Sequence, residues 1–149
     1  MATRTRGFEI INGYECIEIP CRKTTQSAGY DLAAANDCVL ESGAVVLVPT
    51  GLKAYMPSGE YLSIHIRSSM AVKHGLSLIN GQGIIDADYY NNPENEGHIL
   101  IAVYNHSPNP YYLGKGTRIA QGIFMPYLVA DNDIVQGTRR GGIGSTGQK

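Results

Sequence analysis

Hydrophobic residues of this chain fall into many short runs that glycines and prolines separate, rather than into long stretches of helical period. The clearest run covers residues 61–67, where Leu62, Ile64 and Ile66 alternate with residues that point to the opposite face. A period of two is typical of a half-buried β-strand. Similar runs predict further strands at residues 8–11, 14–19, 44–49, 52–56, 98–104 and 118–125.

Three local patterns lead to sharper expectations. Asn12-Gly13 is a favoured hairpin dipeptide, so we expect the first two strands to pair with each other. The continuous apolar run at residues 44–49 predicts a strand that is buried on both faces if it lies inside a sandwich. Residues 68–73 predict one short helix, with the serines as N-terminal caps and Gly75 as its end. Such a helix needs packing to be stable, because one or two turns are marginal alone.

The fold class follows from these elements. Many short strands, one short helix and no internal repeat predict an all-β sandwich or barrel. A length of 149 residues fits one domain. From Asp131 onward the chain is polar, and its last residues are rich in glycine. We therefore expect a flexible C-terminal tail that orders only when something binds it.

Composition excludes several classes of function. A net charge of −1 provides no basic face for nucleic acid, so we expect no nucleic-acid partner. No apolar run approaches the roughly 18 residues of a membrane span, and no signal peptide is recognisable at the N-terminus. The odd set Cys16, Cys21 and Cys38 favours reduced thiols in a cytoplasmic protein, with a Cys16–Cys21 bridge left open.

The densest candidate for chemistry is residues 80–89, with the sequence Asn-Gly-Gln-Gly-Ile-Ile-Asp-Ala-Asp-Tyr. Its glycines permit a positive φ or a close approach of the backbone to a ligand. Asp86 and Asp88 would share one side if a strand continued through them. A hairpin with a polar tip explains the same residues, so this stretch alone does not decide.

Other candidates are ambiguous when each is taken alone. Asp31 fits either a metal ligand or a turn residue. An arginine, hydroxyls and helix N-terminal amides at Arg67-Ser68-Ser69 fit a phosphate site or an ordinary helix start. Arg118 in an apolar strand indicates a structural ion pair. The glycine-rich tail resembles phosphate cradles, but it does not match the Walker pattern.

Taken in order, these pieces resemble the five motifs of the homotrimeric dUTP diphosphatases (dUTPases). The match extends roughly from residue 17 to residue 147, and five motifs in the right order are far more specific than any one of them. The stretches that carry it are Ala28-Gly29-Tyr30-Asp31-Leu32, Arg67-Ser68-Ser69, residues 80–89, residues 116–121 and residues 141–147, with Val48-Pro49-Thr50-Gly51 between the first two.

The resemblance implies a jelly-roll β fold in residues 1–136, a lid in residues 137–149, and a homotrimer with active sites shared among subunits. It also implies hydrolysis of dUTP to dUMP and pyrophosphate with Mg²⁺. By position, Asp86 becomes the general base for a water that attacks the α-phosphorus, and Gln121 joins it as a catalytic residue that contacts phosphate or the water network.

The same resemblance distributes the binding roles. Asn80, Gly83, Ile84 and Ile85 would read the uracil edge, and Tyr89 would exclude a 2′-hydroxyl. Asp31 would hold Mg²⁺ through water. The remaining residues would contact phosphate or close over the nucleotide: Arg67, Ser68, Ser69, Arg139, Arg140, Ile143, Gly144, Ser145 and Thr146.

Departures from the family pattern leave alternatives open. Ile66 replaces a proline and Ile143 replaces a phenylalanine, so the lid loses aromatic stacking on uracil. Either Arg139 or Arg140 fits the arginine of the last motif. Residues 91–97 form a longer loop than is usual, either a surface elaboration or a site for a regulatory protein. The related dCTP deaminases, which share the fold, are the rival activity.

Overall fold

The computed structural model describes residues 3–144 of the chain. Within that range it contains eleven strands, one α-helix (α1, Ser68–His74) and one 3₁₀-helix (Ala87–Tyr89). The strands, in order, are β1 Gly7–Ile10, β2 Tyr30–Ala33, β3 Cys38–Leu40, β4 Val45–Pro49, β5 Leu52–Tyr55, β6 Glu60–Ile66, β7 Leu76–Leu78, β8 Gly83–Asp86, β9 Leu100–Asn105, β10 Tyr111–Leu113 and β11 Arg118–Pro126.

The strands form antiparallel sheets that pack as a sandwich. One sheet has four strands in the order β2-β11-β6-β8, and a second has three in the order β4-β9-β7. Two smaller pairs, β1-β5 and β10-β3, complete the arrangement of the described residues, which do not close into one barrel. The predicted all-β fold with one short helix is confirmed in its sandwich form.

The core lies between the sheets and follows the alternation seen in the sequence. Leu62 and Ile64 of β6 point inward, where they join Leu32, Ile101 and Ile119. These side chains are almost completely buried, so their burial is a major source of stability. The observed core thus confirms the inward face that the sequence predicts for β6.

The predicted opening hairpin is wrong. Residues 14–19 form no strand, and β1 pairs instead with β5, with Phe8 opposite Ala54. This pairing buries Phe8 in the core, where its ring lies 5.4 Å from that of Phe124. Residues 14–19 are half-buried or exposed, so they offer β1 no comparable apolar face. Long-range burial therefore overrides the local turn preference of Asn12-Gly13.

The expectation that the run at residues 44–49 is buried on both faces is also wrong for the single chain. β4 is an edge strand, and its outward side chains Val45 and Leu47 are 49% and 45% exposed. Only Val48 of this strand is completely buried. An apolar run shows that both faces avoid water, but it does not show whether the same chain covers them.

Helix α1 ends as predicted and begins differently. Gly75 takes the left-handed conformation with φ +65°, and its N–H donates to the carbonyls of Met70 and Ala71. The N-cap is Arg67, so the predicted serine caps are wrong, and no side chain caps the helix. The helix is held by Met70, which is buried in the core.

The described residues bear on two further expectations, one about membrane spans and one about the cysteines. None of the described helices is long and apolar enough to cross a membrane. Cys16, Cys21 and Cys38 are all free thiols, so the open possibility of a Cys16–Cys21 bridge is not realised.

Candidate active site

A cavity opens where the chain crosses from one sheet of the sandwich to the other. β7 belongs to the three-stranded sheet and β8 to the four-stranded sheet, so residues 79–82 bridge the two. Gly81 permits this turn because its φ is +75°. At Gly83 a Cβ would lie 2.9 Å from the Cβ of Ile64, so the glycine lets β8 approach β6 closely.

The cavity has a volume of about 350 Å³. Its interior is apolar and its rim is polar, a combination that is typical of sites for small organic ligands. The apolar lining includes Ile64, Leu78, Ile85, Leu100 and Ile101, and the polar lining consists of Asn80, Asp86, Tyr89, Glu94, Asn95 and Arg139.

Three charged side chains meet at the mouth of the cavity. Asp86 ends β8, and the following 3₁₀ turn brings Asp88 to the same side even though the strand does not continue. The guanidinium of Arg139 donates to both, from Nε to Asp88 Oδ1 at 2.7 Å and from a terminal nitrogen to Asp86 Oδ2. The Arg139 side chain is only 12% exposed, whereas that of Asp86 is 50% exposed. Of the two candidate arginines, Arg139 lines the cavity and Arg140 is exposed.

Tyr89 forms one wall of the mouth and is fixed from two sides. Its hydroxyl donates to the carbonyl of His98 at 2.6 Å and accepts from Asn95 Nδ2 at 2.8 Å. Asn95 belongs to the 91–97 loop (residues 91–97), which also places Glu94 in the cavity lining. Two side chains of this loop therefore line the cavity, in addition to the two roles that the sequence left open.

The C-terminal segment runs across the cavity mouth of the same chain. Gly142 and Ile143 join the lining after Arg139, but the Ile143 side chain is 87% exposed and covers little of the interior. Gly144 is the last described residue and lies exposed. The predicted binding residues Ser145 and Thr146 lie outside the described residues.

A second cluster lies on the outer face of the four-stranded sheet. Gln121 of β11 sits between Asp31 of β2 and His65 of β6, each directly opposite it. The carboxylate of Asp31 pairs with Arg118 at 3.1 Å and with Arg67 at 3.8 Å. The predicted structural ion pair of Arg118 is confirmed, and its partner is the candidate metal residue.

Close packing holds this second cluster in place. A Cβ at Gly29 would lie 2.2 Å from Gln121 Oε1, so the amide of Gln121 lies directly against that backbone. The backbone N–H of Arg67 donates to the carbonyl of Ile119 at 3.0 Å. Ser68 and Ser69 follow at the start of α1, where Ser68 is exposed and Ser69 half-buried.

The two clusters are far apart within one chain. Along β6, Tyr61 lies opposite Asp86 and His65 lies opposite Gln121, four residues further on. With about 3.4 Å per residue and about 4.8 Å between strands, the backbones of Asp86 and Gln121 are about 17 Å apart. Asp31 is one strand further, about 20 Å from Asp86 by the same spacings. The chain thus brings the predicted residues together in two groups rather than one.

Sequence reasoning missed several residues near these clusters. Gln82 Nε2 donates to Ser63 Oγ at 2.5 Å, and Ser63 Oγ shares a 2.6 Å hydrogen bond with His65 Nε2. These two hydrogen bonds link Gln82, in the turn beside the cavity, to His65, which lies opposite Gln121. Alternation along β6 placed Ser63 and His65 on one face, whereas Gln82 lay within the candidate stretch 80–89 but was assigned no role.

His98 is a further missed residue, and its role is structural. Its Nε2 accepts a hydrogen bond from the Gly51 N–H at 2.9 Å, and its ring lies 5.0 Å from that of Tyr14. Burial lowers the pKa of His98 below its usual 6.5, although Glu96 nearby opposes this shift. The neutral ring, with Nε2 free to accept, is therefore the form that fits the fold.

Between residues 3 and 144, no three His, Cys, Asp or Glu side chains lie close enough together to hold a metal ion. A metal at this site would therefore need ligand atoms from another molecule in addition to the described side chains.

Comparisons with known proteins agree on one family. The dUTPase family model matches residues 15–148. The deoxyuridine 5′-triphosphate nucleotidohydrolase of Lactococcus lactis subsp. lactis is 50% identical over 148 residues, which cover 97% of this chain and 99% of that protein. The corresponding protein of Wolbachia pipientis wMel is 39% identical over 143 residues and 90% of each chain.

Solved structures show the same relationship. The dUTPase from Streptococcus mutans superposes with a TM-score of 0.80 at 48% identity, over 85% of this chain and 99% of that chain. The dUTPase from phage phi11 of S. aureus superposes with a TM-score of 0.74 at 20% identity, over 90% of this chain and 97% of that chain, which shows a shared fold. On the family match and the two relatives above 30% identity, the chain belongs to the dUTPase family.

Proposed function

We propose that this protein hydrolyses dUTP to dUMP and pyrophosphate, with uracil in the cavity beside β8 and Asp86 as the general base. The observation that carries this proposal is the placement of one half-exposed carboxylate at the mouth of a small, apolar cavity. A flat heterocycle fits the interior, and the reacting phosphate then lies at the polar rim.

Uracil recognition follows from the position of β8 at the edge of its sheet. An edge strand has backbone N–H and C=O groups on its outer side that the sheet does not use. Residues 83–85 line the cavity, and we propose that their outer N–H and C=O groups pair with the donor and acceptor groups of a uracil edge. Asn80 at the rim adds a side-chain amide with both donor and acceptor capacity.

Asp86 is suited to activate water because it is accessible at the cavity mouth. A positioned carboxylate that removes the proton of the attacking water contributes roughly 10²–10⁴ to the rate. In the described chain, Arg139 pairs with this carboxylate. A triphosphate would compete for the same guanidinium, so we infer that Arg139 moves to phosphate when dUTP binds and leaves Asp86 free to accept a proton.

Tyr89 is suited to select deoxyribose. Two hydrogen bonds hold its hydroxyl, so the ring is a rigid wall rather than a mobile side chain. We propose that the sugar packs against this wall and that a 2′-hydroxyl would meet it. Removal of such a rigid contact relaxes selectivity more than it weakens binding of the correct substrate.

The second cluster is suited to bind the triphosphate. Charged and neutral donors lie together at one end of the four-stranded sheet, on Arg67, Ser68, Ser69 and Gln121. Mg²⁺ fits this arrangement only as an ion carried by the triphosphate, since no described set of side chains forms a cage for it. Asp31 would reach it through water, and the ion would neutralise phosphate charge. The carboxylate of Asp31 already has two arginine partners, which agrees with indirect rather than direct coordination.

A homotrimer with shared sites would bring the two clusters together. A separation of about 17–20 Å is too large for groups that must act on one triphosphate, so the second cluster must come from a neighbouring copy. Exposed apolar side chains support assembly, both on β4 and in the segment before the lid: Val45, Leu47, Leu128, Val129, Ile134 and Val135. We propose residues 137–149 as the lid of this shared site.

We also propose a cytoplasmic location, because the three free thiols fit a reducing compartment.

One assay tests the proposed reaction against its rival. The purified protein is incubated with Mg²⁺ and either dUTP or dCTP, and both pyrophosphate and ammonia are measured. We expect pyrophosphate from dUTP and no ammonia from dCTP. Release of ammonia from dCTP would instead favour a deaminase.

Two side chains of the 91–97 loop line the cavity, so we assign the loop to the site rather than to a regulatory protein.

A further inference from the structure

We propose that the 91–97 loop is the docking site of the C-terminal lid, and that Glu94 is the positioning residue that holds the lid against the cavity. The functional meaning of the lid rests on the proposed dUTP hydrolysis. The docking contact itself rests only on the contacts between the loop and residues 140–142.

The loop has a defined shape because a buried side chain organises it. Asn92 Nδ2 donates to the carbonyl of Tyr89 at 2.8 Å and to Asn95 Oδ1 at 2.7 Å. Asn92 Oδ1 accepts the backbone N–H groups of Glu94 at 3.0 Å and Asn95 at 3.1 Å. Buried and fully hydrogen-bonded, Asn92 fixes where Glu94 stands relative to Tyr89.

Glu94 contacts the lid through its backbone and its side chain. Its N–H donates to the carbonyl of Arg140 at 3.2 Å. Its carboxylate lies so close to Gly141 that a Cβ there would be 1.5 Å from Oε2 and 2.8 Å from Cγ. Only glycine leaves room for this contact with the Glu94 side chain in its present position.

The second glycine of the pair continues the contact toward the cavity. A Cβ at Gly142 would lie 3.4 Å from Tyr89 Cε1 and 3.6 Å from Asn95 Nδ2, which is ordinary van der Waals distance. Arg139 then donates to the carbonyl of Gly141 at 3.1 Å while it pairs with Asp86. The loop therefore sets the position of the lid arginine that we assign to phosphate. Holding the lid near the site reduces the ordering cost of closure.

Limited proteolysis with trypsin tests the docking contact without reference to catalysis. Trypsin cuts after Arg139 and Arg140, and the released C-terminal peptide is followed by mass spectrometry. We compare the full chain with Glu94→Ala, Gly141→Ala, the double variant, and Glu96→Ala as a matched control. Glu96 is also an acidic residue of the loop, but its carboxylate pairs with Lys53 at 2.9 Å instead of facing the lid.

We expect Glu94→Ala and Gly141→Ala each to speed cleavage several-fold, because each breaks the same contact. The double variant should be cut no faster than the faster single variant, and Glu96→Ala should match the unmodified chain. Equal cleavage of all variants, or rates that multiply in the double variant, would overturn the proposal. Far-UV circular dichroism and thermal unfolding of each variant show whether faster cleavage reflects global unfolding, which would also count against docking.

The same variants separate the two proposals in a dUTP assay. If cleavage follows the expected pattern and the unmodified protein does not hydrolyse dUTP, docking stands and the proposed function fails. If dUTP is hydrolysed but cleavage is unchanged by Glu94→Ala, the function stands and docking by Glu94 fails.

Discussion

Mixed trimers of two inactive variants provide the sharpest test of a site assembled between copies. One variant, Asp86→Asn, removes the proposed base and keeps a side chain of similar size. The other, Arg67→Ala, removes a donor of the second cluster. Each variant alone should be nearly inactive, because each lacks one of the two groups that a site needs.

The recovered activity can be calculated from the way in which the copies combine, because the separation of the clusters requires two copies for each site. At about 17–20 Å, a single chain cannot apply both groups to one phosphate, so each site takes its base from one copy and its arginine from another. With random mixing of equal amounts, the base donor is intact in half of the sites and the arginine donor in half. About one quarter of all sites are then intact in both respects, and since trimers of a single variant have none of them, about one third of the sites in mixed trimers are intact.

The assay needs trimers that have truly exchanged subunits. The two variants are co-expressed with different affinity tags, doubly tagged assemblies are purified, and pyrophosphate release from dUTP is measured. We expect about one third of the unmodified rate, because purification on both tags removes the inactive trimers of a single variant and each mixed trimer has one intact site out of three. Doubly tagged assemblies with no more activity than either parent would refute the shared site.

Two further predictions concern the lid and the pH dependence of stability. Deletion of residues 139–149 should lower kcat for dUTP by at least about tenfold through loss of closure over the reacting phosphate. The melting temperature should change little, because the exposed residues 127–138 separate the deleted segment from the sandwich and the core cluster of the described chain contains none of the deleted residues. A truncated protein with full kcat would contradict the lid role. Because burial lowers the pKa of His98 below 6.5, the folded chain binds fewer protons than the unfolded chain at mildly acidic pH. The contribution of His98 to the unfolding free energy should therefore be complete above about pH 6.5 and be lost as the pH falls toward the lowered pKa, and urea denaturation across that range should show a shallower pH slope in His98→Gln. An unchanged slope in that variant would exclude His98 as the cause.

Much of the fold was predictable because local pattern and burial agree. Alternation along β6 identified its inward face, and Gly75 marked the end of α1. The opening hairpin failed because a turn dipeptide specifies a bend, whereas the partner of β1 is decided by distant residues 52–55. The apolar run of β4 was recognised, but its exposure depends on strand order, which places β4 at the edge of its sheet.

Site residues within a family motif could be predicted from the sequence. Residues that join the site only through the folded geometry could not. Asp86 and Tyr89 were located through family resemblance, and the structure places them at one cavity. Glu94 and Asn95 lie in a polar loop with no periodic or motif signal, so nothing in the sequence connects them with the tail. The split between the two clusters depends on strand register, which the sequence of a single strand does not define.

The role of Asp86 is the central claim, and single-turnover hydrolysis of dUTP by Asp86→Asn tests it most directly. Binding is measured in parallel with a non-hydrolysable dUTP analogue, so that loss of chemistry is distinguished from loss of affinity. We predict nearly unchanged binding, because uracil and triphosphate contacts remain, and a hydrolysis rate lowered by roughly 10²–10⁴. A variant that binds the analogue normally and hydrolyses dUTP within a few-fold of the unmodified rate would contradict the account.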